Sequence, residues 1–319
     1  MSDFIVRGYR EGDEVKITEL YNKVFKSTMD LSFWNWRFKA NPAGATLLML
    51  MWDGDDLIGH YAVSPVSMWI SGKKEMCALS MTTMTHPRYT GRGIFPALAN
   101  KLYNECSEKY GINLIWGFPN GNSHYGFIKN LNWFDIVQIP NFKLNTNKSF
   151  LNTNLVSKKI YKFKKEHYES FLNYIQNKWT FCVDRSVEYL NWRYLENPNQ
   201  SYLSYEITDD NGFVNYIVAK VYQIDNDKEL DILELVTGND AEVIKSLLSA
   251  CLSELNTENA RFNMWMPLRD LRHLTLEKMG FSNNGHVTYL AGRSNVLGNS
   301  LDLSNSKDWY FSFGDSDVY

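Results

Sequence analysis

The chain has 319 residues, 44% hydrophobic and 22% charged, with a formal net charge of −3. That is the profile of a globular protein of one large or two ordinary domains. It has no basic surplus to argue for nucleic acid, and its apolar runs, such as Leu47 to Trp52, are too short for membrane insertion as a helix. Four scattered cysteines (Cys77, Cys106, Cys182, Cys251) show no metal or redox spacing and read as buried free thiols. With the charged start from Met1 to Glu14, they point to a reducing cytoplasm, and no metal is expected.

In chain order, the pattern predicts a strand over Phe4–Tyr9, a helix over Gly12–Val24 and a short helix over Leu31–Phe38. Strands follow at Thr46–Trp52, Leu57–Ser64 and Glu75–Thr85, the first two joined by the hairpin signal Asp53-Gly54-Asp55-Asp56. A Gly-rich turn, Arg88-Tyr89-Thr90-Gly91-Arg92-Gly93, opens a helix over Phe95–Lys109. A strand at Asn113–Phe118, a helix at Asn122–Asn130 and strands over Phe134–Leu144 complete the first set. Asn145–Ser157, rich in Asn, Lys and Ser, reads as a linker. The same order returns from Ile160 to about Gly292, and an extension, Arg293–Tyr319, remains.

The return is visible residue by residue. Phe33-Trp34-Asn35-Trp36-Arg37-Phe38 through Asn41-Pro42 recurs as Tyr189-Leu190-Asn191-Trp192-Arg193-Tyr194 through Asn197-Pro198, Trp36 falling on Trp192 at an offset of 156. Leu131-Asn132-Trp133 recurs as Met279-Gly280-Phe281 at an offset of 148. A repeat of this length means duplicated domains, here 1–147 and 148–319. The Gly-rich turn is the part that is shortened. Its counterpart, Leu235 to Val243, holds one glycine, no arginine and two acids at the helix start. Asp240 is a good helix cap there and would repel a phosphate. The second domain is expected to cover a substrate cleft, to dimerise, or both.

A strand that ends in a Gly-rich turn and enters a helix points backbone N–H groups at an anion, and the helix dipole adds to the attraction. Gly91 and Gly93 let the backbone approach a phosphate, Pro96 suits the first helical turn, and Arg92 adds a cation. By itself the turn is equally well an ordinary tight turn. It lacks the Lys-Ser/Thr of a Walker A loop and the third glycine of a dinucleotide fingerprint.

The whole segment His86–Ile94 resembles the acyl-CoA loop of the GNAT acyltransferase superfamily. Ile112–Asn120, then Ser123–Leu131 and Asn132-Trp133, is similar to that family's next strand, its Asn-x-x-small segment and its helix ending in Leu-Gly-aromatic. The resemblance covers about residues 4–145. It implies an α/β (α+β) fold of two tandem GNAT-like domains, each a mixed, mostly antiparallel sheet flanked by helices. It also implies acetyl-CoA or another acyl-CoA as cosubstrate and a small-molecule amine as acceptor. On the family pattern Arg88, Gly91, Arg92, Gly93, Ile94 and Phe95 line the pyrophosphate. Met84 and Thr85 supply the N–H donor for the thioester oxygen, and Asn120 and Ser123 flank the pantetheine arm.

Acyl transfer to an amine also needs a base for the amine and an acid for the leaving thiolate. The tyrosine that many family members use as the acid is missing, since its slot holds Ile128, or Phe127 when counted from Asn120. Tyr125, one helical turn earlier, is the candidate acid; His124 is its neighbour, and adjacent helix residues face different ways. His86 reads as structural, and His60 faces either cleft or core. The tail Asp308–Tyr319 combines aromatics with acids. Asp315, Asp317 or the terminal carboxylate of Tyr319 is expected to enter the first domain's cleft and bind the amine, against the plainer reading of a docked tail. The expected function is an N-acyltransferase acting on a small amine, with an amino sugar of surface polysaccharide as the acceptor suggested by analogy. A catalytically silent acyl-CoA sensor or scaffold is the alternative. An acyl transfer from transfer RNA is disfavoured by the acidic balance and the intact glycine loop. A homodimer stays open.

Overall fold

The computed structural model describes residues 4–318 except 122, 225–226, 256, 268 and 296–301. The chain forms two compact units. Unit 1 takes residues up to Met68, Lys74–Val137 and Tyr289–Ser304; unit 2 takes Trp69–Lys73, Gln138–Thr288 and the chain from Asn305.

Unit 1 holds β1 (Ile5–Gly8), α1 (Asp13–Phe25), α2 (Leu31–Trp34) with a π-helical turn to Lys39, β2 (Leu47–Asp53), β3 (Asp56–Ile70), β4 (Lys73–Thr85), α3 (Ile94–Tyr110), β5 (Leu114–Gly117), α4 (His124–Leu131) and the start of β6 (Phe134–Asn147). The chain continues in unit 2 with β7 (Lys158–Lys159), α5 (Lys165–Ile175), β8 (Phe181–Val183), α6 (Val187–Tyr194), β9 (Leu203–Thr208), β10 (Val214–Ile224), β11 (Asp227–Val236), α7 (Ala241–Ser253), β12 (Asn259–Trp265), α8 (His273–Lys278) and the start of β13 (Ser282–Ser294). Apart from β8, which has no counterpart between α1 and α2, the second series follows the element order of the first. In unit 1 the strands follow β1-β2-β3-β4-β5; in unit 2 they follow β6-β12-β11-β10-β9-β7. Most pairs are antiparallel, but β4–β5 and β11–β12 are parallel. Each unit is therefore the mixed, mostly antiparallel α/β sheet that the resemblance implies.

The period-two rule explains how unit 1 is layered. Along β2, Met49 and Met51 enter the core beneath α3, while Leu48, Leu50 and Trp52 enter the opposite core beneath α1 and α2. The strand is buried on both faces and so reads as a continuous apolar run. The recurring Trp-Arg and Asn-Pro residues are structural in both units. Trp36, Arg37, Trp192 and Arg193 are buried. Asn41 and Asn197 each accept from the backbone N–H two residues on, both at 3.0 Å, which makes the same Asx turn twice. Asp240 caps α7 as expected, accepting from the Glu242 N–H at 2.8 Å. All four cysteine thiols are free and buried.

Two departures from the sequence reading share one cause, pairing between distant segments. Ala291–Ser294 at the end of β13 pairs with β5 in unit 1, and Asn141–Asn147 of β6 pairs with β12 in unit 2. The start of the expected linker is therefore strand, and Leu151 within it is fully buried in the core of unit 2. The Asn-, Lys- and Ser-rich composition hid an alternation in which Leu144 and Thr146 face in while Asn145 and Asn147 face out.

Helix α3 reaches its seat because β3 has no side chain at one point. A Cβ on Gly59 would lie 2.4 Å from Ile94 Cγ2 and 3.0 Å from Leu98 Cδ1. The glycine beside His60 thus admits a helix. Gly59→Ala overpacks this contact and is expected to cost about 1–3 kcal/mol, read as a melting midpoint several degrees lower in a thermal scan.

Candidate functional site

The site is built where two strands part. β4 and β5 pair at Ala78↔Ile115 and Leu79↔Trp116; β5 then stops at Gly117, while β4 runs on to Thr85. β4 is irregular in this stretch, since Thr82 has φ +50, a left-handed conformation that a β-branched residue adopts only under constraint. The carbonyl of Thr82 accepts a 2.7 Å hydrogen bond from His60 Nδ1. His60 is fully buried and packs edge-on against Phe38. It therefore faces the core. Met84 is buried among the residues beneath α1 and α2, and Thr85 is half-buried at the strand end.

The turn after β4 is held from three sides. His86 N–H donates to Ile58 O at 2.9 Å, and its ring accepts from Arg88 N–H at 3.2 Å, which agrees with a structural role. Tyr89 donates from its hydroxyl to Asp53 Oδ2 at 2.8 Å and carries Arg92 over its ring at 5.1 Å. Gly91 and Gly93 have φ +75 and +73, and a Cβ on either would meet no protein atom within 4 Å. Glycine is thus needed for its backbone conformation, and the space above the loop is open. Gly93 is the N-cap of α3, and no side chain caps the helix there. The N–H groups of its first turn stay available to an anion, flanked by the exposed Arg88 and Arg92. Ile94 and Phe95 send their side chains inward, Ile94 against Gly59 and Phe95 against Tyr61 and Phe127. They offer the site only backbone.

Asn120 is exposed in the turn leading out of β5, and its side chain accepts from Ser123 N–H at 3.1 Å, just before α4. His124 and Tyr125 begin α4 and point differently. His124 Nε2 lies 2.6 Å from Asp135 Oδ1, and its ring stacks on Tyr289 at 4.0 Å. Tyr125 is 64% exposed, with Lys129 over its ring. Phe127 occupies the buried face of the helix.

The acidic tail lies elsewhere than expected. Residues from Asn305 belong to unit 2. Asp315 is buried there, 2.8 Å from Arg185, so it is spent on an internal ion pair and does not serve the site of unit 1. The cause is the aromatic residues that precede it, since Trp309, Tyr310, Phe311 and Phe313 are all buried. Asp317 is half-buried in the same unit, and Tyr319 lies outside the described residues.

The sequence reading missed a buried hydroxyl chain. Tyr61 shares hydrogen bonds with Ser80 (2.9 Å) and Tyr103 (2.8 Å), and Trp133 donates to Tyr103 at 3.1 Å. Burial raises both phenol pKa values, so these groups keep their protons. A lone serine in the apolar run Cys77-Ala78-Leu79-Ser80 was its one signal. Among the described residues no group of His, Cys, Asp and Glu could hold a metal ion, and no helix is long and apolar enough to cross a membrane.

With this geometry in view, comparison with known proteins is specific for the first part of the chain. Residues 5–134 match the family model of the acetyltransferase (GNAT) domain, and this part of the chain is a GNAT domain. No curated protein matches the sequence. Among solved structures, the chain is similar to a probable N-acyltransferase from Enterococcus faecalis V583, with a TM-score of 0.70 at 12% identity over 97% of this chain and 74% of that one. It is similar to a GCN5-related N-acetyltransferase from Anabaena variabilis, at 0.67 and 14% over 91% and 72%. It is also similar to Saccharomyces cerevisiae N-myristoyltransferase with bound myristoyl-CoA, at 0.62 and 12% over 92% and 83%. At such identities these likenesses show the fold alone.

Burial without a charge partner pushes the His60 pKa from 6.5 down to about 4. Between those values the unfolded chain binds a proton that the folded chain refuses. Stability is therefore lost as pH falls from 6.5 towards 4, by about 3 kcal/mol in full. In denaturant titrations at pH 7 and pH 4, the loss of stability on acidification should be smaller in His60→Gln than in wild type by about this amount.

Proposed function

We propose that unit 1 is an acyl-CoA-dependent N-acyltransferase that moves an acetyl or other short acyl group to a small-molecule amine. One observation carries the reading. The uncapped start of α3 lies behind two left-handed glycines, at the end of a strand that has parted from its parallel neighbour. The pyrophosphate of the cosubstrate sits on the first-turn N–H groups with Arg88 and Arg92, and the pantetheine arm runs between β4 and β5, past Asn120 and Ser123. The backbone near Met84 and Thr85 donates to the thioester oxygen. The amine nitrogen attacks the thioester carbon, the C–S bond breaks, and the proton that the nitrogen loses is the net proton that the departing thiolate gains. His124 handles that proton, with Asp135 fixing its ring, while Tyr125 is too exposed to do so. We read the two units as tandem copies of one fold, of which only the first keeps the anion loop. An amino sugar is the first acceptor to try.

The alternative, a silent acyl-CoA-binding protein, is favoured by Phe127 and Ile128 in the slot of the family's usual acid. Two measurements separate the readings. Free CoA at about 100 times its dissociation constant should add roughly 2.7 kcal/mol of stability, visible as a melting shift that Gly91→Glu abolishes. A wild type that melts unchanged with CoA and with acetyl-CoA would sink both readings.

Release of free thiol from acetyl-CoA in an amine screen then decides turnover. His124→Ala should lower kcat by about 100-fold, the scale of a lost general acid, whereas Tyr125→Phe should stay within about twofold. A drop in Tyr125→Phe with none in His124→Ala would reverse the assignment.

A further inference from the structure

Unit 2 contains the same parting of strands, and the chain fills it. β11 and β12 run parallel and pair at Glu229↔Arg261, Leu230↔Phe262 and Asp231↔Asn263. Past this point β11 continues to Val236 and β12 to Trp265. β11 is irregular there. Ala219 pairs with Ile232 and Val218 with Glu234, so Leu233 is an extra residue, a bulge. In element order Leu233 holds the place of Thr82 in β4, and the spacing between them falls between the two repeat offsets.

The tail lies on that bulge. A Cβ on Gly314 would sit 3.1 Å from Leu233 O, 2.5 Å from Glu234 Oε1 and 2.2 Å from the Tyr194 hydroxyl. Close approach alone requires glycine at this position. The next residue, Asp315, pairs with Arg185 at 2.8 Å, and Arg185 pairs with Glu234 at 2.8 Å. Phe313 packs on Trp265 at 4.8 Å, and Trp309 stacks on Phe181 at 4.6 Å. Between Leu233, Trp265, Tyr310 and Phe311 a space of only about 10 Å³ is left. The tail contributes one isolated bridge, Phe181↔Trp309, and otherwise adds no strand to the sheet.

We infer that residues 309–316 are a resident occupant of the unit 2 cleft, seated where unit 1, on the function proposed above, seats its acyl-thioester arm. Unit 2 is thus a slot for an aromatic–glycine–acidic peptide, filled by the chain's own segment. Only the analogy rests on the proposed function; the seat in unit 2 does not.

The test uses the full chain and hydrogen exchange read by mass spectrometry. In wild type under rising denaturant, residues 305–318 should open before β10–β12. In Gly314→Ala, where the added methyl has no room, and in the milder Asp315→Asn, exchange of the tail should rise at least tenfold while β10–β12 stays protected. A fluorescent peptide with the sequence of residues 308–319 should then bind Gly314→Ala at least tenfold more tightly than wild type, whose slot is filled. A tail that exchanges only together with β10–β12 would be ordinary core, and the inference would fail. It would fail equally if tail exchange were unchanged in both variants, or if the tail were released without any gain in peptide binding. A CoA melting shift recorded alongside reports on unit 1 alone. Its absence in wild type would strike the proposed function and leave the result on the tail standing.

Discussion

A parallel pair of strands that parts after a few residues exposes backbone to a gap, and backbone polar groups cannot be left there without partners. Much of the structure follows from how each unit answers that constraint. In unit 1 a helix is drawn close beside the gap, through the missing side chain at Gly59, and its uncapped end adds more N–H groups to the same region. The N–H groups of that first turn have no side-chain cap, the arrangement in which a helix start attracts an anion. In unit 2 the helix following the parted strands is capped by its own Asp240, and the gap is closed by protein. The two partings of strands thus reach opposite electrostatic ends.

Closing the gap in unit 2 demands charge inside the protein. Arg185, Glu234 and Asp315 are all buried, and burial pushes both carboxyl pKa values up while Arg185 pulls against it. Such a cluster is poor evidence for net stability, because desolvation offsets most of the attraction. Its contribution is register. A tail shifted by one residue would leave Arg185 facing a backbone with no carboxylate and would drive a side chain into the space that only Gly314 fits. The aromatic residues supply affinity, and the charges fix which residue goes where.

The sequence showed most where the rules are local. The helix start behind Gly93, the Asp240 cap and the buried thiols each depend on a few neighbouring residues, and each is present. It showed least where distant segments meet. Helical phase decides that Tyr125 faces outward while His124 meets Asp135, and a helix as short as α4 gives too few residues to fix that phase. The inward turn of His60 depends on the left-handed Thr82 opposite it, which no propensity announces. The tail's acids suggested a catalytic role because the buried Arg185 they answer is far away in sequence.

The exchange of strand ends bears on how the gene can be cut. β6 finishes beside β12, and β13 finishes beside β5, so neither compact unit is a contiguous stretch of codons. A fragment stopped at 147 would leave β5 without Ala291–Ser294 and would present Leu114–Gly117 as an open, apolar sheet edge. Subcloning by halves would then yield aggregates that say nothing about either unit. A working miniature of unit 1 must instead splice the chain near 137 directly to the chain near 289, a recombined order that the natural reading frame never spells.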